Sequence, residues 1–225
     1  MKLFKRICLP VLCCMAAGTA SAQYYEIANR LPGLISPALS GSFNYKGFVE
    51  LSGVAGLGDN RANFVGVSTS QGFRYASWFF MGVGMGIDVA MAKHDDSLGE
   101  VPPDQQPWNY QRSSSSTKAM LPIFSDFRFN IGPESGTSCY IDLKVGAAWF
   151  LGDSYFALRD ARMGRGAQFY FKPSIGIRVP VNAQNPRQAF NFGVTYQLIT
   201  SGNNYSRNGN SVTLNSIGAS ISYEW

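Results

Sequence analysis

The one histidine of this 225-residue chain, His94, stands beside Asp95 and Asp96, within loop reach of Ser97 and of the run Ser113 to Ser116. An imidazole oriented by a carboxylate and facing a hydroxyl is the minimum set for attacking an ester, because the hydroxyl must shed its proton as it becomes the nucleophile. The same cluster offers a divalent ion one imidazole and adjacent carboxylates, which do not define a site. Four consecutive serines read as a mobile tether rather than a positioned nucleophile. The stretch is therefore expected to be a hydrated loop, with no catalytic residues, no metal ligands and no cofactor. The sequence carries no phosphate-binding glycine loop and no paired-cysteine motif.

The other chemistry-bearing residues are charges with a common parity. Glu50, Asp88, Asp126, Asp142 and Glu224 oppose Arg74, Lys118, Arg128, Lys144, Lys172 and Arg178 in near balance, each alternating with apolar neighbours. Charges placed on one side of an element whose other side is apolar need a shared enclosed space, where they pair with each other.

The elements that would position them alternate with period two, the pattern of strands with two different faces. From Ser77 to Lys93 the odd positions read Phe79, Met81, Val83, Met85, Ile87, Val89 and Met91, while the even ones are Phe80 and then Gly and Ala around Asp88. Thr117 to Ile131, Cys139 to Leu151 and Gln168 to Val179 split the same way. Phe190 to Leu198 and Ile217 to Trp225 add two more apolar rows. Lys46 to Gly58 and Asn63 to Tyr75 complete eight, the second weakened by Thr69 and Gln71 on its apolar row. Each is long enough to cross about 25 Å of hydrocarbon when tilted. Glycine and alanine between the charges suit a narrow lumen. Aromatic residues collect at strand ends, with Phe73, Tyr75, Phe79, Phe127, Phe129, Phe190, Phe192, Tyr223 and Trp225 toward one rim and Trp149, Phe169 and Phe171 toward the other. The expected fold is all-β: an eight-stranded antiparallel up-and-down transmembrane β-barrel, closed because an open edge in lipid leaves backbone groups unpaired.

Short turns near Ala76, at Gly132 to Thr137 and at Asn182 to Arg187 mark the periplasmic side. Asp59 to Arg61, His94 to Ser116, Asp153 to Met163 and Ser201 to Asn210 are the outer loops. Pro122 and Pro173 fall inside strands and each removes a ladder donor, so bulges are expected there.

Residues 1–22 carry Lys2, Lys5 and Arg6, then a short apolar run and Ala20-Ser21-Ala22, the pattern of a cleaved secretory signal peptide. Its three basic residues leave 16 of 19 against 14 acidic ones, so the remaining chain is near neutral and nucleic acid is not an expected partner. It also holds three of the four cysteines, leaving Cys139 alone and an intrachain disulfide excluded. Residues 23–45 form an N-terminal periplasmic segment, with Ile27, Ala28 and Leu31 spaced for a short helix, and residues 46–225 form the barrel.

On Gly72-Phe73-Arg74-Tyr75, Phe79 to Gly86, Leu121 to Arg128, Asp142 to Gly146 and Pro173 to Gly176, the chain resembles the small outer-membrane β-barrels of Bacteroidetes-type bacteria, porin-like and related in architecture to OmpX and the OmpA membrane domain. The resemblance implies a bacterial outer-membrane location and a fold far more than an activity. Ile217, Ala219, Ile221, Tyr223 and Trp225 resemble the C-terminal signal read by the barrel-assembly machinery, with Trp in place of the commoner Phe. Asp96-Ser97-Leu98 is similar to a short O-glycosylation acceptor of such bacteria.

In the loop 94–116, Trp108 and Tyr110 stand near Pro102, Pro103 and Pro107 and are candidates for a recognition surface. The expected function is a monomeric outer-membrane barrel with a charge-plugged lumen, structural or acting through its outer loops on an unidentified extracellular ligand. Its partners would be outer-membrane lipid and the assembly machinery. A small porin-like channel and a membrane-embedded lipid-modifying hydrolase are the alternatives.

Overall fold

The computed structural model describes residues 44–58, 60–92, 114–158, 161–164, 166–182, 185–201, 204–206 and 212–225. Eight long antiparallel strands close a barrel: β1 (Asn44–Leu57), β2 (Ala62–Ala76), β3 (Phe79–Ala92), β5 (Thr117–Ile131), β6 (Ser138–Phe150), β9 (Gln168–Asn182), β10 (Asn185–Ser201) and β12 (Val212–Glu224), in that order round the wall, with β12 paired back to β1. Four short strands, β4 (Ser114–Ser115), β7 (Tyr155–Ala157), β8 (Ala161–Met163) and β11 (Asn204–Ser206), make a second sheet. The chain contains no helix long and apolar enough to cross a membrane among the described residues, which says nothing against crossing by strands.

The register fixes the width of the barrel. A circuit through directly paired residues, from Gly47 through Gln71, Val83, Ser125, Val145, Phe171, Leu198 and Asn215, returns to β1 at Leu57, ten residues from its start. Eight strands with that stagger tilt by roughly 40° at ordinary strand spacings, which leaves an interior just wide enough for side chains. The rim carrying Asn44 and Trp225 is called proximal below, and the opposite rim distal.

The alternation places the apolar row outside. Val83 is 67% exposed, Ile175 61% and Leu51 59%, and such residues ring the wall. Exposed apolar surface of that extent is unsuited to water and suited to hydrocarbon, so the molecule is a membrane β-barrel. Its proximal rim is belted by aromatic contacts, Trp78 with Phe129, Phe79 with Phe129, Phe190 with Tyr223 and Tyr223 with Trp225. Thr69 and Gln71, the polar break in the outer row, are satisfied locally: Gln71 donates to Thr69 at 2.9 Å and accepts from the Tyr45 hydroxyl.

Four expectations are corrected. Pro122 and Pro173 sit in strands without bulges: the β5–β3 and β9–β10 ladders each skip two pairs beside the proline, yet the register is the same on both sides of the gap. Each proline pairs in register with its other neighbour, Ala148 and Leu143 respectively. The serine run is not simply a tether, because Ser114 and Ser115 form β4 and pair with Tyr155 and Phe156. The Asp153 to Met163 and Ser201 to Asn210 loops carry β7, β8 and β11. The turn expected from Asn182 to Arg187 is tighter, since β9 ends at Asn182 and β10 begins at Asn185, with a register shift between Asn185 and Ala189.

Candidate functional site in the lumen

The inner face of the barrel carries two layers of different chemistry. The proximal half is ionic. Glu50 on β1 accepts from Lys144 on β6 at 2.5 Å and from Lys172 on β9 at 2.9 Å, and Lys172 also donates to Ser52 Oγ at 2.7 Å. Asp142 holds Arg128 at 3.0 Å and lies 3.5 Å from Lys144. Nearer the rim, Glu224 receives Arg178, with Nε at 3.1 Å and Nη2 at 3.0 Å, and is also paired with Lys46. Arg74 pairs with Glu134 on the turn between β5 and β6, and the Glu134 carbonyl accepts from Arg178 Nη1 at 2.9 Å. The Arg128 guanidinium sits 4.0 Å from the ring centroid of Phe48 and 4.7 Å from that of Tyr140, so its flat faces meet aromatic surface where they make no hydrogen bond.

Beside these ions, Ser174, Thr195 and Ser220 form a hydroxyl chain of 2.7 and 3.0 Å across β9, β10 and β12. Glycines on the inner face clear space for the large side chains. A Cβ at Gly84 would come within 2.5 Å of the Phe124 ring, and one at Gly193 within 2.4 Å of the Tyr140 hydroxyl.

The distal half is apolar. Phe64, Met120, Phe124, Phe150, Tyr170, Ile199 and Leu214 are buried in one cluster with Phe156, Leu158 and Met163 from the β7–β8 region. Phe150 stacks on Phe156 with centroids 4.8 Å apart. The short sheet therefore stoppers the distal mouth with its own side chains. Lys118, on this half, donates to the Ser154 carbonyl.

Of the charges read from the sequence, Glu50, Asp142, Lys144 and Lys172 meet in one cluster with Arg128, and Arg178 joins Glu224 at the rim. Arg74 reaches the rim turn. Asp88 and Lys118 are buried on the distal side, in none of these pairs. Asp126 is fully buried beside Asp142, and neither of its oxygens accepts a hydrogen bond. Sequence parity missed Lys46 and Glu134; it placed Phe80, Tyr140 and Tyr170 on the inner face but missed Phe48, Phe64 and Phe124 there. The inner face is not merely small: Phe48, Phe64, Phe80, Phe124, Tyr140 and Tyr170 all fill it.

Ile217, Ala219, Ile221 and Tyr223 lie along β12, between β10 and β1. Trp225 extends this seam through two backbone bonds with Gly47, at 3.1 and 3.2 Å. Cys139 is an exposed free thiol on β6. Trp108, Tyr110, the His94 to Ser97 cluster, the signal segment and residues 23–43 lie outside the described residues. The Ser115 hydroxyl donates to the Thr117 carbonyl at 2.7 Å. Among the described residues no group of His, Cys, Asp and Glu is arranged to hold a metal ion.

No family model and no curated protein matches the sequence. Solved structures do match the fold. Neisserial surface protein A is 12% identical with a TM-score of 0.51, over 82% of this chain and 98% of that one. The outer membrane enzyme PagL is 13% identical with a TM-score of 0.48, over 79% and 97%. The outer membrane protein OprG of Pseudomonas aeruginosa is 10% identical with a TM-score of 0.43, over 82% and 98%. At such identities the likeness to surface protein A shows a shared eight-stranded barrel fold and nothing of activity.

Proposed function

We propose that this chain is a non-conducting outer-membrane barrel, exported by the signal at residues 1–22, with a sealed lumen and a structural or surface-interaction role carried by its distal loops. The observation that carries this is the double closure. Side chains from opposite walls meet in ion pairs in the proximal half, and a capped apolar layer fills the distal half. An ion entering the ionic layer would have to displace paired charges. It would then shed most of its hydration against the packed apolar layer, a cost that the flanking Asp88 and Lys118 offset only in part.

Outer-membrane residence is favoured by the closed barrel, the apolar wall and the terminal strand ending in Tyr223 and Trp225, which we read as the assembly signal. Lipid and the assembly machinery are the corresponding partners, and the chain works as a monomer. A narrower kinship with Bacteroidetes-type or OmpX-like barrels rests on the sequence motifs around Phe73, Phe124 and Val145. Extracellular recognition through Trp108 and Tyr110 rests on their composition alone.

The channel reading has one observation in its favour. Asp126, Asn191, Ser222 and two nitrogens of Arg128 are buried without hydrogen-bond partners, a set of donors and acceptors that internal water would satisfy. Asp88 Oδ2, Gln168 Oε1 and Gln197 Nε2 extend this set toward the distal side, where the packed layer of Phe64, Met120 and Phe124 would still have to open. The hydrolase reading gains no such observation. Planar-bilayer recording of the refolded protein tests the proposal, since a sealed lumen gives no sustained current.

A further inference from the structure

At the proximal mouth Lys46, Arg74 and Arg178 converge on a crevice that has no enclosed free space with Glu134 in place, also lined by Asn130 and Ser138. Two acids face these three cations. Glu224 is fully buried and fixed by Arg178 and Lys46. Glu134 differs from it in every respect. Its side chain is 34% exposed, whereas those of the paired acids inside the lumen, Glu50, Asp142 and Glu224, are at most 3% exposed. It sits on a turn rather than a strand, between Gly132, whose φ of +127° lies in the region glycine favours, and Gly136. It meets the cations with an anionic carboxylate at Arg74 and a carbonyl at Arg178. Asn130 Oδ1, on the crevice wall, is buried and without a partner.

We infer that this crevice is a binding site for a small oxyanion of the phosphate type, and that Glu134 is its resident, displaceable occupant. The guanidinium of Arg74 offers the planar fork that suits an oxyanion, and Lys46 adds a point charge behind it. With Glu134 in place its carboxylate supplies the negative charge the cations require. When the turn swings out, Arg74 and Arg178 lose the oxygens Glu134 gave them, and an external oxyanion can take their place. The phosphate group can come from free phosphate or from a lipid headgroup at the interface where the aromatic belt sits. The inference does not depend on whether the lumen conducts.

The test uses the full refolded barrel in an uncharged, phosphate-free detergent, titrated separately with inorganic phosphate and with a short-chain phosphatidic acid, by calorimetry at constant ionic strength. Glu134→Gln removes the competing charge and keeps the carbonyl bond to Arg178. It is expected to bind at least one of the two probes at least tenfold more tightly than the parent chain, and the probe that gains identifies the source. Adding Arg74→Gln to that variant is expected to abolish the gain. Folded Glu134→Gln protein, checked by heat-modifiable gel mobility, that binds neither probe better than the parent overturns the inference. A gain that survives the loss of Arg74 also overturns it.

Discussion

Glu50 on β1 and Lys144 on β6 stand on opposite walls, four strands apart by either route round the barrel, and their side chains meet at 2.5 Å. Two side chains that bridge the full diameter divide the lumen at that level. Lys172 on β9 closes on the same carboxylate, so Glu50 is the acid on which the ionic layer depends.

Glu50→Gln is therefore expected to leave Lys144 and Lys172 buried with much weaker partners. Removing one partner from a buried charge pair costs about 3–5 kcal/mol, and the loss here should fall toward the upper end because two cations share the acid. Urea unfolding in lipid vesicles, followed by gel mobility, measures it. Replacing Glu50, Lys144 and Lys172 together by Gln and Met is expected to recover most of the stability.

The neighbouring aspartates should respond differently. Asp142 accepts from Arg128, whereas Asp126 accepts from no donor and adds a buried carboxylate beside Asp142. Asp142→Asn is expected to destabilise by about 3 kcal/mol. Asp126→Asn is expected to be neutral or stabilising, since it removes a buried carboxylate without a hydrogen-bond partner and supplies an amide donor toward Asp142. The same unfolding assay ranks the two, and equal losses would remove the distinction.

The distal layer should behave as a packed core. Phe124→Ala and Phe156→Ala are each expected to cost about 3–5 kcal/mol. Gly84→Ala is expected to destabilise as well, because the added Cβ meets the Phe124 ring at 2.5 Å and the Thr69 carbonyl oxygen at 2.6 Å. A Gly84→Ala, Phe124→Leu double variant should be less damaged than the sum of its parts.

The terminal seam gives a fourth expectation. The Trp225 ring lies across Gly47, where a Cβ would come within 2.4 Å of it. Deleting Tyr223 to Trp225 removes both the closing aromatic and the backbone bonds at Gly47. Loss of heat-modifiable barrel from membrane fractions is the expected result, and normal accumulation would contradict the assembly-signal reading.

The wall of the barrel was legible because its outer row is apolar at nearly every alternate residue, and because a charge such as Arg128 or Asp142 between two apolar residues declares its parity. Lys46 was overlooked although it shares that parity, because it stands at a strand end where the alternation has barely begun. Glu134 lies in a turn, where there is no alternation to read. The apolar stopper was obscured because Phe124 and Met120 share a face with Lys118 and Asp126, so a face judged by its charges looks uniformly polar. The cap could not be read from periodicity, since strands of two or three residues such as Ser114–Ser115 and Tyr155–Ala157 hold less than two periods. The prolines misled by a local rule: loss of one donor is absorbed by skipping ladder pairs, and tertiary closure keeps the register.

Planar-bilayer conductance of the refolded full chain tests the sealed lumen most directly, recorded for the parent and for a variant lacking residues 94–116. Both are predicted to stay closed, because the Glu50–Lys144 bridge and the Phe64, Met120 and Phe124 layer lie within the wall and not in that loop. A stable, large single-channel conductance in the parent protein would contradict the account.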